Sequence, residues 1–217
     1  MDKRLIIVGA GGMAREVLNW AADVQQEGAD WEIAGFLDKN GSALDNYDID
    51  LPIVGCPDTY MPSKHDVFVF GIGDPKTRLL IGKQMSERGS QFIELIHPTA
   101  CIGKRVERGV GFIACPFVCV TGDVKIGDFV FLNVSSVVGH DSVIGDGCTL
   151  AGHAFAAGYT ELGVGVFLGS HANVHPGVQV GDFATIGAGS VALRNVKQND
   201  TVVGVPAKKI PDLKMNS

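Results

Sequence analysis

The chain has 217 residues, of which 46% are hydrophobic and 19% are charged, and its formal net charge is −6 at pH 7. A chain of this length can bury one large core or two small ones. The negative charge argues against a nucleic-acid-binding surface, and no apolar run reaches the roughly 18 residues of a membrane-spanning helix. Its five cysteines include no Cys-x-x-Cys motif, which favours reduced thiols in a cytoplasmic protein.

The N-terminal part of the chain alternates between predicted strands and predicted helices. A strand is predicted at positions 4–8, because its residues 5–8 form a continuous apolar run that is typical of a buried parallel strand. The elements predicted after it are helices at 13–26 and 75–88 and strands at 32–37, 52–54, 66–70 and 91–95. Strands that alternate with helices predict a small Rossmann-like parallel α/β domain, which we place at residues 1–95.

A glycine-rich turn joins the first predicted strand to the first predicted helix. Its sequence, Gly9-Ala10-Gly11-Gly12-Met13-Ala14, fits a loose G-x-G-x-x-A pattern, in which the backbone can approach a phosphate at a helix N-terminus. Asp38 ends a strand where a ribose hydroxyl is often bound, Lys39 and Arg78 are the nearest basic residues, and Gly73 follows a later strand. The short domain favours one nucleotide over a dinucleotide; a turn that binds nothing is the alternative.

The second half of the chain repeats every six residues. Each sixth residue from Ile96 to Ala192 is apolar, apart from Arg108. A period of six fits neither a helix nor an ordinary strand, and it is typical of a parallel β-helix with three faces per coil. With 18 residues per coil, the tract predicts between five and six coils within a second domain at residues 96–217, including a C-terminal tail after Asp200.

Besides His97 at its start, four histidines lie in this repeat, at positions 140, 153, 171 and 175. His153 and His171 are one coil apart, so we expect them to stack. His140 is predicted to point outward near a corner of a coil, where Asp141 could fix its tautomer and raise its basicity as a general base. A zinc site built from these histidines and a surface histidine in a polar turn are the alternatives for this region.

In these motifs the chain resembles the hexapeptide-repeat acyltransferases. It is most similar to the branch of bacterial sugar acetyltransferases that contains the sialic acid O-acetyltransferase (NeuD) family and the nucleotide-sugar N-acetyltransferases PglD and PerB. The resemblance lies in Leu5–Ala14, in Leu95–Ala100, in the Asn133–Asp141 segment and in Gly204–Lys208.

This resemblance implies a left-handed β-helix, a homotrimer, and acetyl-CoA bound between neighbouring helices as co-substrate. The implied reaction is N-acetylation of the 4-amino group of a UDP- or dTDP-linked amino-deoxy sugar, a step in surface polysaccharide biosynthesis, with no metal. We also expect trimer formation to cover apolar residues on flat outer faces of the helix, among them Val130 and Phe131.

The resemblance also implies roles for individual residues. His140 would be the general base, Asp141 its partner, and Asn133 would shape the acceptor site. The sugar nucleotide would contact Gly11, Gly12, Met13, Asp38, Lys39, Gly73 and Arg78. Acetyl-CoA would contact Thr149, Gly169, Ser170, Ala188 and Lys208.

Three other functions remain open from the sequence. The first is an O-acetyltransferase acting on a free sugar such as sialic acid. The second is a zinc enzyme of the γ-carbonic-anhydrase type, and the third is a non-catalytic scaffold built on the same β-helix.

Overall fold

The computed structural model describes residues 3–210, so positions 211–217 of the predicted C-terminal tail lie outside the described residues. The N-terminal part is a five-stranded parallel sheet with strand order β3-β2-β1-β4-β5. Its elements are β1 Lys3–Val8, α1 Gly12–Gln26, β2 Trp31–Leu37, β3 Ile53–Gly55, β4 Asp66–Phe70, α2 Pro75–Glu87 and β5 Gln91–Phe92. The central strands β1 and β4 are covered on both faces, which explains why they read as unbroken apolar runs.

The starts of the two helices differ in a way that affects the site. Helix α2 begins after Asp74, whose carboxylate accepts a hydrogen bond from Thr77 N at 2.7 Å, and Pro75 occupies its first turn. Helix α1 begins after Gly11, which has no side chain to cap the helix. The first N–H groups of α1 are therefore left available to a ligand.

The rest of the chain winds into a three-sided parallel β-helix. Its seventeen successive two-residue strands are β6 Leu95–Ile96, β7 Cys101–Ile102, β8 Glu107–Arg108, β9 Ile113–Ala114, β10 Cys119–Val120, β11 Lys125–Ile126, β12 Phe131–Leu132, β13 Val137–Val138, β14 Val143–Ile144, β15 Thr149–Leu150, β16 Phe155–Ala156, β17 Glu161–Leu162, β18 Phe167–Leu168, β19 Asn173–Val174, β20 Gln179–Val180, β21 Thr185–Ile186 and β22 Val191–Ala192. Strands β23 Thr201–Val203 and β24 Lys208–Lys209 follow them. Three strands per coil give the predicted five to six coils, and the predicted fold class is confirmed.

The three faces of the β-helix have different surroundings. We call them the domain face (β6, β9, β12, β15, β18, β21, β23, β24), the apolar face (β7, β10, β13, β16, β19, β22) and the polar face (β8, β11, β14, β17, β20). In most of these strands the second residue points inward; Leu132, Val138 and Ile144, for example, are at most 1% exposed. The first residue points outward, and it determines what each face can contact.

The N-terminal domain packs against the domain face. Phe131 on this face lies 6.5 Å from the ring of Trp20 on α1, and both Phe131 and Val130 are fully buried. Phe129, at the adjoining corner, packs edge-on against Phe70 of β4. Our expectation that Val130 and Phe131 lie on an exposed outer face was therefore wrong, because the chain's own α/β domain covers Phe131 and Val130 points into the core.

Among residues 3–210, neither helix is long and apolar enough to cross a membrane.

Candidate active site

His140 and Asp141 lie at the corner where the chain leaves β13 on the apolar face and turns toward β14 on the polar face. Asp141 adopts a left-handed backbone conformation with φ of 57°, and its Oδ2 lies 2.8 Å from His140 Nδ1. A carboxylate can only accept a hydrogen bond, so in this contact Nδ1 carries the proton. The lone pair of a neutral ring is then on Nε2, and 59% of the His140 side chain is exposed.

The coil after His140 leaves space for the imidazole. Gly158 lies next to the ring, and a Cβ atom at this position would approach His140 Nε2 to 2.8 Å. Tyr159 meets the same ring edge-on, with ring centroids 5.1 Å apart. Any larger residue at position 158 would therefore push the imidazole away from its present position.

An ion pair occupies the same corner one and two coils earlier. Arg105 contacts the carboxylate of Asp123 with both Nε and Nη2, at 2.5 and 2.7 Å. The hydrogen bond from Arg105 lowers the pKa of Asp123, partial burial opposes this shift, and the nearby His140 adds to the lowering. The neighbourhood of His140 thus contains a second carboxylate that stays ionised.

Asn133, Gly169, Ser170 and Ala188 lie at a different corner, between the domain face and the apolar face. A Cβ atom on Gly169 would come within 2.6 Å of Ala188 N, and Gly189 N donates to Ser170 O at 2.8 Å. These three predicted acetyl-CoA positions are therefore neighbours on successive coils. Within one chain, however, the apolar face separates this Asn133 corner from the His140 corner.

Lys208 is brought toward the Asn133 corner by the turn that precedes it. Ala207 N donates to Val191 O at 2.8 Å, and Lys208 pairs with Val203 across β23 and β24. The side chain of Lys208 is exposed.

The glycine-rich turn opens onto a cavity of about 370 Å³ at the carboxyl ends of β1, β2 and β4. The predicted residues that line it are Gly11, Gly12, Met13, Asp38 and Lys39. The Asp38 carboxylate accepts from Ala10 N at 2.8 Å and from Asn40 N at 2.9 Å. Asp38 therefore also holds the turn in shape.

Two other residues, Lys39 and Gly73, are predicted to contact the nucleotide. Lys39 pairs with Asp58 at 2.7 Å across the rim of the cavity. Gly73 does not line the cavity itself, but a Cβ atom there would lie 3.7 Å from the end of Met13, which does.

Arg78 is not a ligand of this cavity, which corrects our prediction. Its side chain is 1% exposed, and its guanidinium donates to oxygen atoms on both sides of the seam between the two parts of the chain. Burial lowers the pKa of Arg78 to about 10. All three nitrogen atoms of the Arg78 guanidinium thus already donate hydrogen bonds to oxygen atoms inside the protein, so they are not available to bind a phosphate.

Thr149 is likewise misassigned as an acetyl-CoA contact. It lies on the domain face, is 3% exposed, and its hydroxyl donates to Gly73 O at 3.0 Å. Thr149 is therefore buried against the N-terminal domain and is not exposed at the surface.

His153 and His171 stack as predicted, with ring centroids 4.7 Å apart and planes 4° from parallel. Both are exposed at the Asn133 corner. Nowhere in residues 3–210 do three His, Cys, Asp or Glu side chains come close enough to hold a metal ion. A zinc site within a single chain therefore has no ligand set among these residues.

Both parts of the chain are similar to known proteins. Residues 4–85 match the family of the PglD N-terminal domain. The GDP-perosamine N-acetyltransferase of Escherichia coli O157:H7 is 29% identical over 178 residues, which are 79% of this chain and 78% of that protein. The chain is an acetyltransferase. Its predicted resemblance to the PglD and PerB branch is confirmed.

Solved structures extend the match over both parts of this acetyltransferase. PerB from Caulobacter crescentus, in complex with CoA and GDP-perosamine, has 28% identity and a TM-score of 0.86 over 97% of this chain and 99% of its own. The acetyltransferase domain of PglB from Neisseria gonorrhoeae, in complex with acetyl coenzyme A, has 25% identity and a TM-score of 0.84 over 97% and 100%. These complexes agree with the prediction of acetyl-CoA as co-substrate.

Sequence reasoning missed three features of the candidate site around His140. Gly158 and Tyr159 lie one coil after His140 and Asp141, and Asp123 lies one coil before. Adding or subtracting 18 residues from His140 and Asp141 would have found them, because a parallel coil stacks residues at that spacing.

Proposed function

We propose that this acetyltransferase moves the acetyl group of acetyl-CoA to the 4-amino group of a nucleotide-linked amino-deoxy sugar. The observation that carries this proposal is the His140–Asp141 pair, which leaves Nε2 free over the space that Gly158 provides. The family resemblance favours UDP or dTDP as the nucleotide. Because the similar enzymes from Escherichia coli and Caulobacter are named for GDP-perosamine, we add GDP to the nucleotides to be tested.

In the proposed mechanism, the amine nitrogen attacks the thioester carbonyl while His140 Nε2 takes a proton from the nitrogen. A C–N bond forms, the C–S bond breaks, and the sulfur of CoA leaves as a thiolate that accepts a proton. Asp141 keeps Nδ1 protonated and stabilises the imidazolium that forms. A positioned base of this kind contributes about 10²–10⁴-fold to the rate.

The glycine-rich cavity is the proposed site of the nucleotide. Gly11 and Gly12 let the backbone approach the phosphates, and the uncapped start of α1 offers N–H groups to them. Asp38 and Lys39 would face the ribose or the base at the rim. Met13 lies between this cavity and the Gly73 loop, where it would contact the sugar end of the ligand.

We also propose a homotrimer, in which the Asn133 corner of one chain packs beside the His140 corner of its neighbour. The support is an apolar face that none of residues 3–210 covers: Phe155 is 37% exposed, and Phe117 and Tyr159 on its two flanks are 64% and 60% exposed. Acetyl-CoA would lie along Gly169, Ser170 and Ala188 with Lys208 close by. The trimer would thus bring His140 and Asn133 into one site.

A cytoplasmic location and a role in surface polysaccharide biosynthesis belong to the same proposal. The five cysteines, all of them free, are typical of a reducing compartment.

The proposal is tested by substituting His140→Ala and following CoA release with 4-amino sugars linked to UDP, dTDP and GDP. We expect turnover to fall by about 10²–10⁴-fold. His175→Ala is the matched control, because His175 is exposed at the same corner two coils further along, and this variant should keep the wild-type rate. A His140→Ala enzyme with near wild-type turnover would show that another group is the base. Acetylation of free sialic acid in place of every nucleotide sugar would favour the O-acetyltransferase.

A further inference from the structure

Arg78 joins the loop beside the nucleotide cavity to the coils of the β-helix. It lies on α2, and its guanidinium points into the seam between the two parts of the chain. Six oxygen atoms accept from it: Ile72 O at 2.7 Å, Gly73 O at 3.1 Å, Phe129 O at 2.8 Å, Gly147 O at 2.8 Å, Cys148 O at 3.1 Å and Thr149 Oγ1 at 2.7 Å. Two of these acceptors belong to the cavity loop and four belong to the coils.

A buried cation that bonds only to neutral oxygens is a costly way to hold two domains together. Removing a charge from water carries a large penalty, and the side chain of Arg78 makes no hydrogen bond to a carboxylate. Leucine or methionine could fill a seam of this kind at no such cost. What arginine adds is a rigid fork of five donors, which fixes several acceptors in one geometry.

Thr149 completes this arrangement from the side of the β-helix. Its hydroxyl accepts from Arg78 Nη2 and donates to Gly73 O at 3.0 Å. The carbonyl of Gly73 is therefore held twice, once by Arg78 and once by Thr149. We call these two side chains and the Gly73 carbonyl the Arg78 bracket.

The loop that the bracket holds forms part of the nucleotide cavity. Gly71 and Ile72 line the cavity, and Met13 packs beside Gly73. At its far end the loop becomes the cap of α2 at Asp74. The position of this cavity wall is thus fixed by contacts with the coils, and not only by the sheet to which the loop belongs.

We propose that Arg78 and Thr149 are positioning residues, which set the distance between a sugar nucleotide in the cavity and the acetyl-transfer site on the coils. This inference rests on the proposed function. It accounts for a buried arginine where an apolar residue would suffice for cohesion. A displacement of about 1 Å can cost about 10²-fold in rate when the reacting groups are held by different parts of a protein.

The sharpest test is Thr149→Val, which keeps the shape of the side chain and removes both of its hydrogen bonds. We expect kcat/KM for the sugar nucleotide to fall by about tenfold or more, while the KM for acetyl-CoA and the melting temperature stay close to wild type. Thr185→Val is the matched control, because Thr185 occupies the same position on the domain face two coils further along. It should change neither constant.

Arg78→Lys gives an independent measurement, because it keeps the charge and loses the fork. We expect the same selective loss in kcat/KM for the sugar nucleotide, and less than additive losses when Arg78→Lys and Thr149→Val are combined. If Arg78→Lys does not fold, Thr149→Val alone decides. Unchanged kinetics for the sugar nucleotide in Thr149→Val would overturn the inference, as would an equal loss for acetyl-CoA. Calorimetry separates the two proposals: a wild-type protein that binds none of the three sugar nucleotides contradicts the proposed function itself.

Discussion

The domain face and the apolar face of the β-helix expose similar residues but have different surroundings. The domain face presents Ile113 and Phe131, and the α/β domain of the same chain buries both. The apolar face presents Val137, Phe155 and Val191, which the described part of the chain leaves partly exposed. The polar face, with Glu161 and Gln179 in the same positions, needs no cover.

In a β-helix, the outward residue of each strand indicates what that strand contacts, whereas the inward residue does not. The inward residues are apolar on all three faces, because each face must fill the same core. The outward residues differ from face to face, and they therefore indicate which face is covered by the chain, by another chain or by water. The six-residue period predicts the coil itself. The outward residue that precedes each period position indicates what that face of the coil contacts.

The largest difference should appear when one phenylalanine on the domain face and one on the apolar face are each replaced by alanine. Phe131→Ala deletes a fully buried ring that contacts Trp20, so we expect it to lower the free energy of unfolding by about 3–5 kcal/mol. Phe155→Ala, on the uncovered face, should cost about 1 kcal/mol or less in a separated chain. Urea denaturation of both variants, under conditions in which the chains are separated, measures the difference. Equal losses would mean that the two faces are equally covered.

A charge on the apolar face should break its proposed contact with a neighbouring chain. Val137→Glu would bury an unpaired carboxylate in the trimer, so we expect the mass in solution to fall from three chains to one. Activity should fall by about tenfold or more, because the His140 corner loses the Asn133 corner of its neighbour. Light scattering gives the mass.

Val143→Glu is the control, since Val143 is 45% exposed on the polar face. It should leave both the mass and the activity unchanged. An assembled, active Val137→Glu protein would contradict the proposed trimer interface.

Much of the fold could be predicted from the sequence, because its physical causes are local. A coil needs one small or apolar residue per face, so the period from Ile96 onward predicts the number of coils that the structure shows. The contact of His140 with Asp141 could also be predicted from the sequence, since both residues lie at one corner. Each of these inferences needs only neighbours in sequence or in the coil.

The errors concern the surface between the two domains. Arg78, Thr149 and Phe131 were all assigned to ligands or to a trimer, and all three lie in the seam. The sequence shows that a cation follows the loop after β4, but not whether it points into the cavity or toward the coils. That choice depends on how α2 rests on the domain face, which no local pattern records.

The smallest effect concerns the reactivity of the cysteines toward a thiol reagent. Cys148 donates to Gly163 O inside the coil, and burial raises its pKa to about 12, so its thiol stays protonated at pH 8. Burial also raises the pKa of Cys115 well above its ordinary value. Because the thiolate is the reactive form, neither should react in the folded protein.

Cys101 is exposed on the apolar face, so it should react in the native protein, and faster in the Val137→Glu variant. Raising the pH from about 7 to about 9 should leave Cys148 almost unlabelled. Mass spectrometry of peptides after timed labelling identifies each site. Equal rates for Cys101 in wild type and in Val137→Glu would show that this end of the apolar face is open in the assembly. Rapid labelling of Cys148 in the folded protein would show that the coils are not closed around it.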